Sequence, residues 1–172
     1  WIGGSFKRSN FSKRFGVMND EDVPAVASFG YIADRKTFMD RTIIYSAGSI
    51  KRKAWSELFF EKSFDTPLLP DIAANYREPL DMLRIAPSAS NRQPWRIVKE
   101  KDENIFHFFL ERTKSYTRTI KFFRLADLQR IDMGISMNHF ELTSNELGLN
   151  GKWEIADPKI PSRDAVREYV AS

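Results

Sequence analysis

The chain of 172 residues contains no cysteine. Disulfides, thiolate nucleophiles and Cys-ligated metals are therefore excluded, and a reducing, cytoplasmic setting fits. Only two histidines occur, His107 and His139. That is too few imidazoles to build a metal centre around, so both are read as structural and no metal is expected. No apolar run approaches membrane-spanning length and no signal peptide is visible, so a membrane partner is not expected. A block of one charge sign is also missing. The 27 Lys and Arg face 23 Asp and Glu, leaving a net charge of +4, and the acids are interspersed nearly everywhere. A nucleic-acid binder would concentrate its basic residues in one patch, so nucleic acid is not an expected partner and the excess marks local anion sites at most. No nucleophile, triad or acid–base pair stands out, and no catalytic side chain is assigned.

What is present is enough apolar material for one domain with a real core: 42% hydrophobic residues, fourteen of them phenylalanine. The most informative stretch is Ala86-Pro87-Ser88-Ala89-Ser90-Asn91-Arg92-Gln93-Pro94-Trp95. It follows a helical pattern, Tyr76, Leu80 and Leu83, and precedes a strand-like run, Arg96 to Lys99. Pro87 disfavours helical geometry at Ala86 and should end the helix there, while Pro94 pushes Gln93 towards an extended form. Ser88, Ser90 and Asn91 supply small polar groups between the two prolines. Such a stiff, polar loop flanked by Trp95 suits a flat polar heterocycle, and equally an ordinary helix-to-strand connection.

The same residues resemble the signature of the FMN-dependent nitroreductase superfamily, and the order of motifs around them resembles the branch in which two half-repeats are fused in one chain. The resemblance extends in pieces from Trp1 to about Trp153. It implies an α+β fold, a sandwich of a mixed or antiparallel sheet with packed helices. It further implies that Pro87, Ser88, Ala89, Ser90, Asn91 and Gln93 lie against the isoalloxazine ring of FMN. Trp1-Ile2-Gly3-Gly4 is similar to a family turn near flavin N5, which makes Ile2, Gly3 and Gly4 cofactor-binding candidates; glycines permit close approach to a ring. Lys51-Arg52-Lys53 falls where the family holds the FMN phosphate, with Lys51 and Lys53 the best matches. Read without the family, three adjacent cations are a solvated surface. An upstream phosphate motif of the family has no counterpart here, so the chain reads as the downstream part of a longer protein.

The half-repeats are placed at residues 1–63 and 75–172, around a linker at 64–74 that carries two prolines, with one core shared between them. Residues 5 to 22 read as a solvated helix or turn. Val23 to Phe29 is expected as a sheet strand, and Asp34 as the cap of a helix bearing Phe38, Met39 and Ile43. Arg96 to Lys99 and Ile105 to Leu110 read as a hairpin around Asp102-Glu103-Asn104. Leu125 to Leu149 reads as one long helix, with Leu125, Leu128, Ile131, Ile135, Leu142 and Leu149 as its buried stripe. Gly134 and Ser136 are expected to admit a second helix, and Gly148 or Gly151 to end this one. Residues 155 to 172 read as a short strand, a turn and a surface helix.

Three function classes follow. The first is a flavin oxidoreductase that takes hydride from NAD(P)H through FMN and reduces a nitro compound, quinone or similar small-molecule acceptor, as a pseudo-dimeric monomer or a homodimer. The second is a non-catalytic flavin-binding or interaction module. A domain that binds nucleic acid or anions through the basic clusters is third, and the dispersed acids disfavour it.

Overall fold

The computed structural model describes residues 7–18, 20–21, 23–27, 29–31, 48, 51–113, 116, 126–161 and 167–172. The elements in chain order are α1 (Arg8–Phe15), α2 (Trp55–Leu58), β1 (Phe59–Glu61), α3 (Arg77–Ile85), β2 (Trp95–Lys99), β3 (Phe106–Glu111), α4 (Leu128–Glu146) and β4 (Arg167–Ala171). Single 3-10 turns precede α3 at Ala74–Tyr76 and occupy the signature loop at Ala89–Asn91.

The strands form one mixed sheet in the order β1-β2-β3-β4. β1 runs parallel to β2, with Phe59 opposite Ile97; β2 and β3 are antiparallel, with Ile97 opposite Phe108. A parallel neighbour needs a crossover, and here the chain makes it through α3 and the signature loop. β4 joins β3 antiparallel, with an irregularity between Phe108 and Phe109. This is the α+β arrangement expected from the sequence.

Strand alternation sends side chains to two faces. Trp95 and Ile97 of β2, with Phe106, Phe108 and Leu110 of β3, join Leu80 and Leu83 of α3 and Met133 and Phe140 of α4 in the main core. Phe60, Val98 and Phe109 form a smaller cluster on the opposite face with Phe64, Ile160 and Tyr169. Complete burial of side chains such as Phe59, Phe108 and Leu80 stabilises the fold by about 1.5–3 kcal/mol each relative to exposure. Leu68 and Ala73 also sit in the main core. The 64–74 stretch folds back on the edge of β1, where Glu61 N–H donates to Thr66 O at 2.9 Å and Leu68 N–H to Phe59 O at 3.0 Å.

Several elements follow the sequence reading. α1 is a solvated helix that ends at Gly16, left-handed at φ 65°. α3 stops at Ala86, extended at ψ 144° ahead of Pro87. The Arg96-to-Leu110 hairpin pairs as expected. Gly148, at φ 73°, ends α4, and Leu149 N–H reaches back to Ser144 O at 2.8 Å.

Others do not. Val23 to Phe29 supplies no strand among its described residues; Val26 alone makes an isolated bridge and Phe29 is fully exposed. Pro24 removes a ladder donor there, and the place beside β2 is taken by the wholly apolar Leu58-Phe59-Phe60 run. The buried line of α4 is Gln129, Asp132, Met133, Ser136, Phe140 and Ser144, rotated from the leucine stripe. Leu142 is 60% exposed, and Leu128, Ile131 and Ile135 are half-buried. The helix turns polar groups inward because the loops beside it need partners: Gln129 Nε2 donates to Thr113 Oγ1 at 2.7 Å, and Asp132 takes a signature-loop amide. Gly134 is exposed and a side chain there would meet nothing among the described residues, so no described helix packs at it. The tail ends as strand β4, not as a surface helix; its alternating Glu168, Tyr169, Val170, Ala171 completes the sheet beside β3. The expected helix after Asp34, Leu125, and the first six residues lie outside the described residues.

Candidate functional site

The signature loop is built from unusual backbone. Ser90, Asn91 and Gln93 adopt left-handed φ angles of 50°, 52° and 47°. Each such non-glycine residue costs about 1–2 kcal/mol, and clusters of them persist only where neighbouring structure dictates the conformation. Here the dictation is visible. Asn91 Nδ2 donates to Gly48 O and Lys51 O, both at 2.7 Å, while its Oδ1 accepts from Arg52 at 3.2 Å and from Gln93 Nε2 at 3.0 Å. Gln93, 3% exposed, accepts the Lys53 N–H on Oε1 at 2.8 Å. Its own N–H donates to Ser88 Oγ at 2.9 Å. Arg52 clamps the other side, donating from Nε and Nη2 to Ile85 O at 3.2 and 3.0 Å, at the end of α3. The basic segment and the signature loop, some forty residues apart in the chain, thus form one unit.

The polar groups left for a ligand are correspondingly few. The Ser88 hydroxyl accepts from Gln93 and keeps its proton to donate. Ser90 is exposed at the tip, and Pro87 beside it is exposed too; Ala89 is half-buried. The amides of Asn91 and Gln93 are turned into the protein. Of the candidates from the sequence, Lys51, Lys53 and Pro87 to Gln93 are brought together, whereas Ile2, Gly3 and Gly4 lie outside the described residues.

A positive cluster adjoins this unit. Lys51 is exposed; Lys53 is half-buried. Burial, with Arg96 next, pushes the Lys53 ammonium below its ordinary value. Arg96, 6% exposed, donates to Gln93 O at 3.1 Å and to Trp95 O and Glu111 Oε1, both at 2.6 Å. Arg167 donates to Glu111 Oε2 at 2.7 Å. Burial pushes the Glu111 carboxyl up, yet Arg96 and Arg167 outweigh it and hold the group below the usual carboxylate range. Glu111 is shared by two guanidiniums, so it and Glu57 compensate the Lys53 charge only in part, and the Lys53 pKa stays lowered. A half-buried ammonium in that situation suits an anion, because charge-assisted donors are the strong partners of phosphate. This donor set fits a flavin phosphate.

Beneath the loop lies a residue that the sequence reading passed over. Asp132 of α4 is fully buried; its Oδ1 accepts the Ala89 N–H at 2.8 Å, and its Oδ2 has no partner among the described residues. Burial raises its pKa to about 7, the Ala89 bond only partly offsetting it. An aspartate inside an apolar helical pattern was the available signal. His107, 3% exposed, is engaged on both nitrogens, with Ser172 Oγ at 2.6 Å and Glu100 Oε1 at 2.8 Å. A cavity of about 750 Å³ opens beside Phe106, Phe140 and Trp153, and no residue of the signature loop lines it. Among the described residues, no helix is long and apolar enough to cross a membrane.

Comparison with known proteins gives one match. The family model described as "Putative TM nitroreductase" covers residues 1–144. No curated protein and no solved structure matches the chain.

Proposed function

The chain belongs to the nitroreductase family that this match describes, and from that premise we propose that it is an FMN-dependent oxidoreductase. NAD(P)H is the proposed donor, and a nitro compound, quinone or similar small molecule the acceptor. The observation that carries the proposal is the strained signature loop locked onto a cationic segment, inside a chain matched by that family over most of its length.

The residues divide the work. Ser88, Ala89 and Ser90, with Pro87 before them, would hold the isoalloxazine ring by the two serine hydroxyls and by backbone. Asn91 and Gln93 support the site by fixing the loop to residues 48–53. Lys53, with Lys51 at the rim, would take the phosphate, a contribution to affinity and not to chemistry. Ile2, Gly3 and Gly4 remain the candidates for the N5 edge. When bound, FMN supplies the hydride and electron transfer itself. The protein orients the ring and excludes water, which is why no side chain of this sequence is named as acid, base or nucleophile.

The test is spectroscopic. The purified chain, reconstituted with FMN, should show flavin absorption bands that bleach on anaerobic NAD(P)H and return when an electron acceptor is added. Flavin binding without bleaching would make it a carrier. Failure to retain FMN would sink the proposal.

A further inference from the structure

We propose that Asp132 is a positioning residue for the flavin: its bond to the Ala89 N–H sets where the first half of the signature loop stands, and its charge sets how firmly. The inference rests on the flavin reading above and extends it to a residue outside the binding face. The side-chain tethers of Asn91 and Gln93 tie the second half of the loop to the basic segment. Ala89, among the residues proposed to meet the ring, accepts from Arg92 N–H at 3.2 Å within the loop, and its own N–H is what ties it to α4.

The choice of an acid there needs explaining. A neutral Asn or Ser could accept the same amide, whereas a carboxylate with one partner and no exposure is costly to ionise. Beyond the Ala89 bond, no cation among the described residues offsets that cost. On α4 itself Asp127 opposes ionisation. Tyr116, which feels the Asp132 charge, brings no cation; Arg84 of α3 is paired with Asp81, and Arg96 and His107, on the strand positions that alternate away from α4, are paired with Glu111 and Glu100. Arg92, within the loop, is exposed. The burial therefore leaves Asp132 titrating near neutral pH, at about 7. The Ala89 bond strengthens when the acceptor is ionised, since charge-assisted hydrogen bonds are about twice as strong as neutral ones. A loop held in its binding-competent form raises apparent affinity in proportion to the population of that form.

Two measurements on the full chain test this. In the flavin-free protein, the Ala89 amide resonance is followed from pH 5 to 9. It should titrate with a midpoint near 7 in the wild type and stay flat in Asp132→Asn. FMN affinity is then read by flavin fluorescence. Measured against Asp132→Asn at the same pH, so that titration of the flavin phosphate cancels, the wild type should bind more tightly at pH 8 and lose about fivefold of that advantage by pH 6. An Ala89 amide that does not titrate, or that titrates alike in both proteins, overturns the inference. So does a ratio of the two proteins' FMN affinities that does not change with pH. A wild type that shows the amide titration but never binds FMN supports the Asp132 grip on the loop and overturns the flavin function instead.

Discussion

Replacing Asp132 by Asn should change the stability of the protein by an amount that depends on pH, and the sign can be worked out. The carboxyl titrates near 3.8 when unfolded and at about 7 when folded. Between those values the folded chain keeps a proton that the unfolded chain releases. Stability on account of this group is therefore complete below about pH 4, falls through the window, and is lost above pH 7. Across the whole window the loss amounts to about 4 kcal/mol. Asparagine removes the titration, keeps an acceptor for Ala89 N–H, and leaves an amide NH2 without an acceptor, a loss of about 1–3 kcal/mol at every pH. The variant should thus be less stable than the wild type at pH 4 and more stable at pH 8, with a crossover between about pH 4.5 and pH 6. Equilibrium urea unfolding of both proteins at each pH unit measures the difference, in which the titration of all shared groups cancels. A difference that stays constant within about 1 kcal/mol across that range would refute the argument.

Three further outcomes are expected. Lys53→Glu should weaken FMN binding by more than about tenfold, because a charge-assisted contact becomes a repulsion; unchanged affinity by fluorescence titration would make the 51–53 cluster a solvated surface. Asn91→Ala should destabilise the flavin-free protein by about 2–4 kcal/mol in urea, since it strands the partners of four hydrogen bonds, and a loss below about 1 kcal/mol would contradict the observed network. Met133→Ala should cost about 2–5 kcal/mol and Leu142→Ala less than about 1 kcal/mol, so comparable losses would mean that α4 buries the leucine stripe after all.

What could be read in the sequence was local. Pro87 ends α3, the Arg96-to-Leu110 hairpin follows from alternation, and Gly148 ends α4, because each depends on a few consecutive residues. The misplaced parts depended on partners far away in the chain. Val23 to Phe29 has strand composition, yet the edge beside β2 went to Phe59–Glu61, which lies between β2 and the 66–68 return. The rotation of α4 was invisible to hydrophobic periodicity, since its buried face carries Gln129, Asp132 and Ser136. Those polar residues are inside because Thr113 and Ala89 offer hydrogen bonds there. Composition within the helix says nothing about either. β4 was lost for a similar reason: Arg167 and Glu168 look like surface, but both form ion pairs with Glu111 and Arg112 beside the sheet.

The site itself shows the same division in sharper form. The proline-bracketed loop contains more polar groups than a turn needs, and that surplus is what first suggested a ligand. The structure assigns most of it inward. Asn91 uses both of its donor directions and its acceptor on residues 48 to 53 and Gln93, so it stiffens the loop. Of the three left-handed residues in four positions, Ser90 and Gln93 would relax if those tethers were cut, since only Asn91 has a local preference for that region. A loop fixed in this way loses little freedom when a ligand arrives, and affinity then comes from avoided ordering costs more than from the number of contacts. On the flavin reading, the ring would be met mainly by backbone and by the hydroxyls of Ser88 and Ser90, and the expensive amides serve at one remove. Substitutions at Asn91 should therefore damage the fold and the cofactor site together, while Ser88→Ala should affect cofactor affinity modestly, through one neutral hydrogen bond worth about 0.5–1.5 kcal/mol. If Ser88→Ala abolished binding while Asn91→Ala left stability untouched, the roles assigned to the two side chains would have to be exchanged.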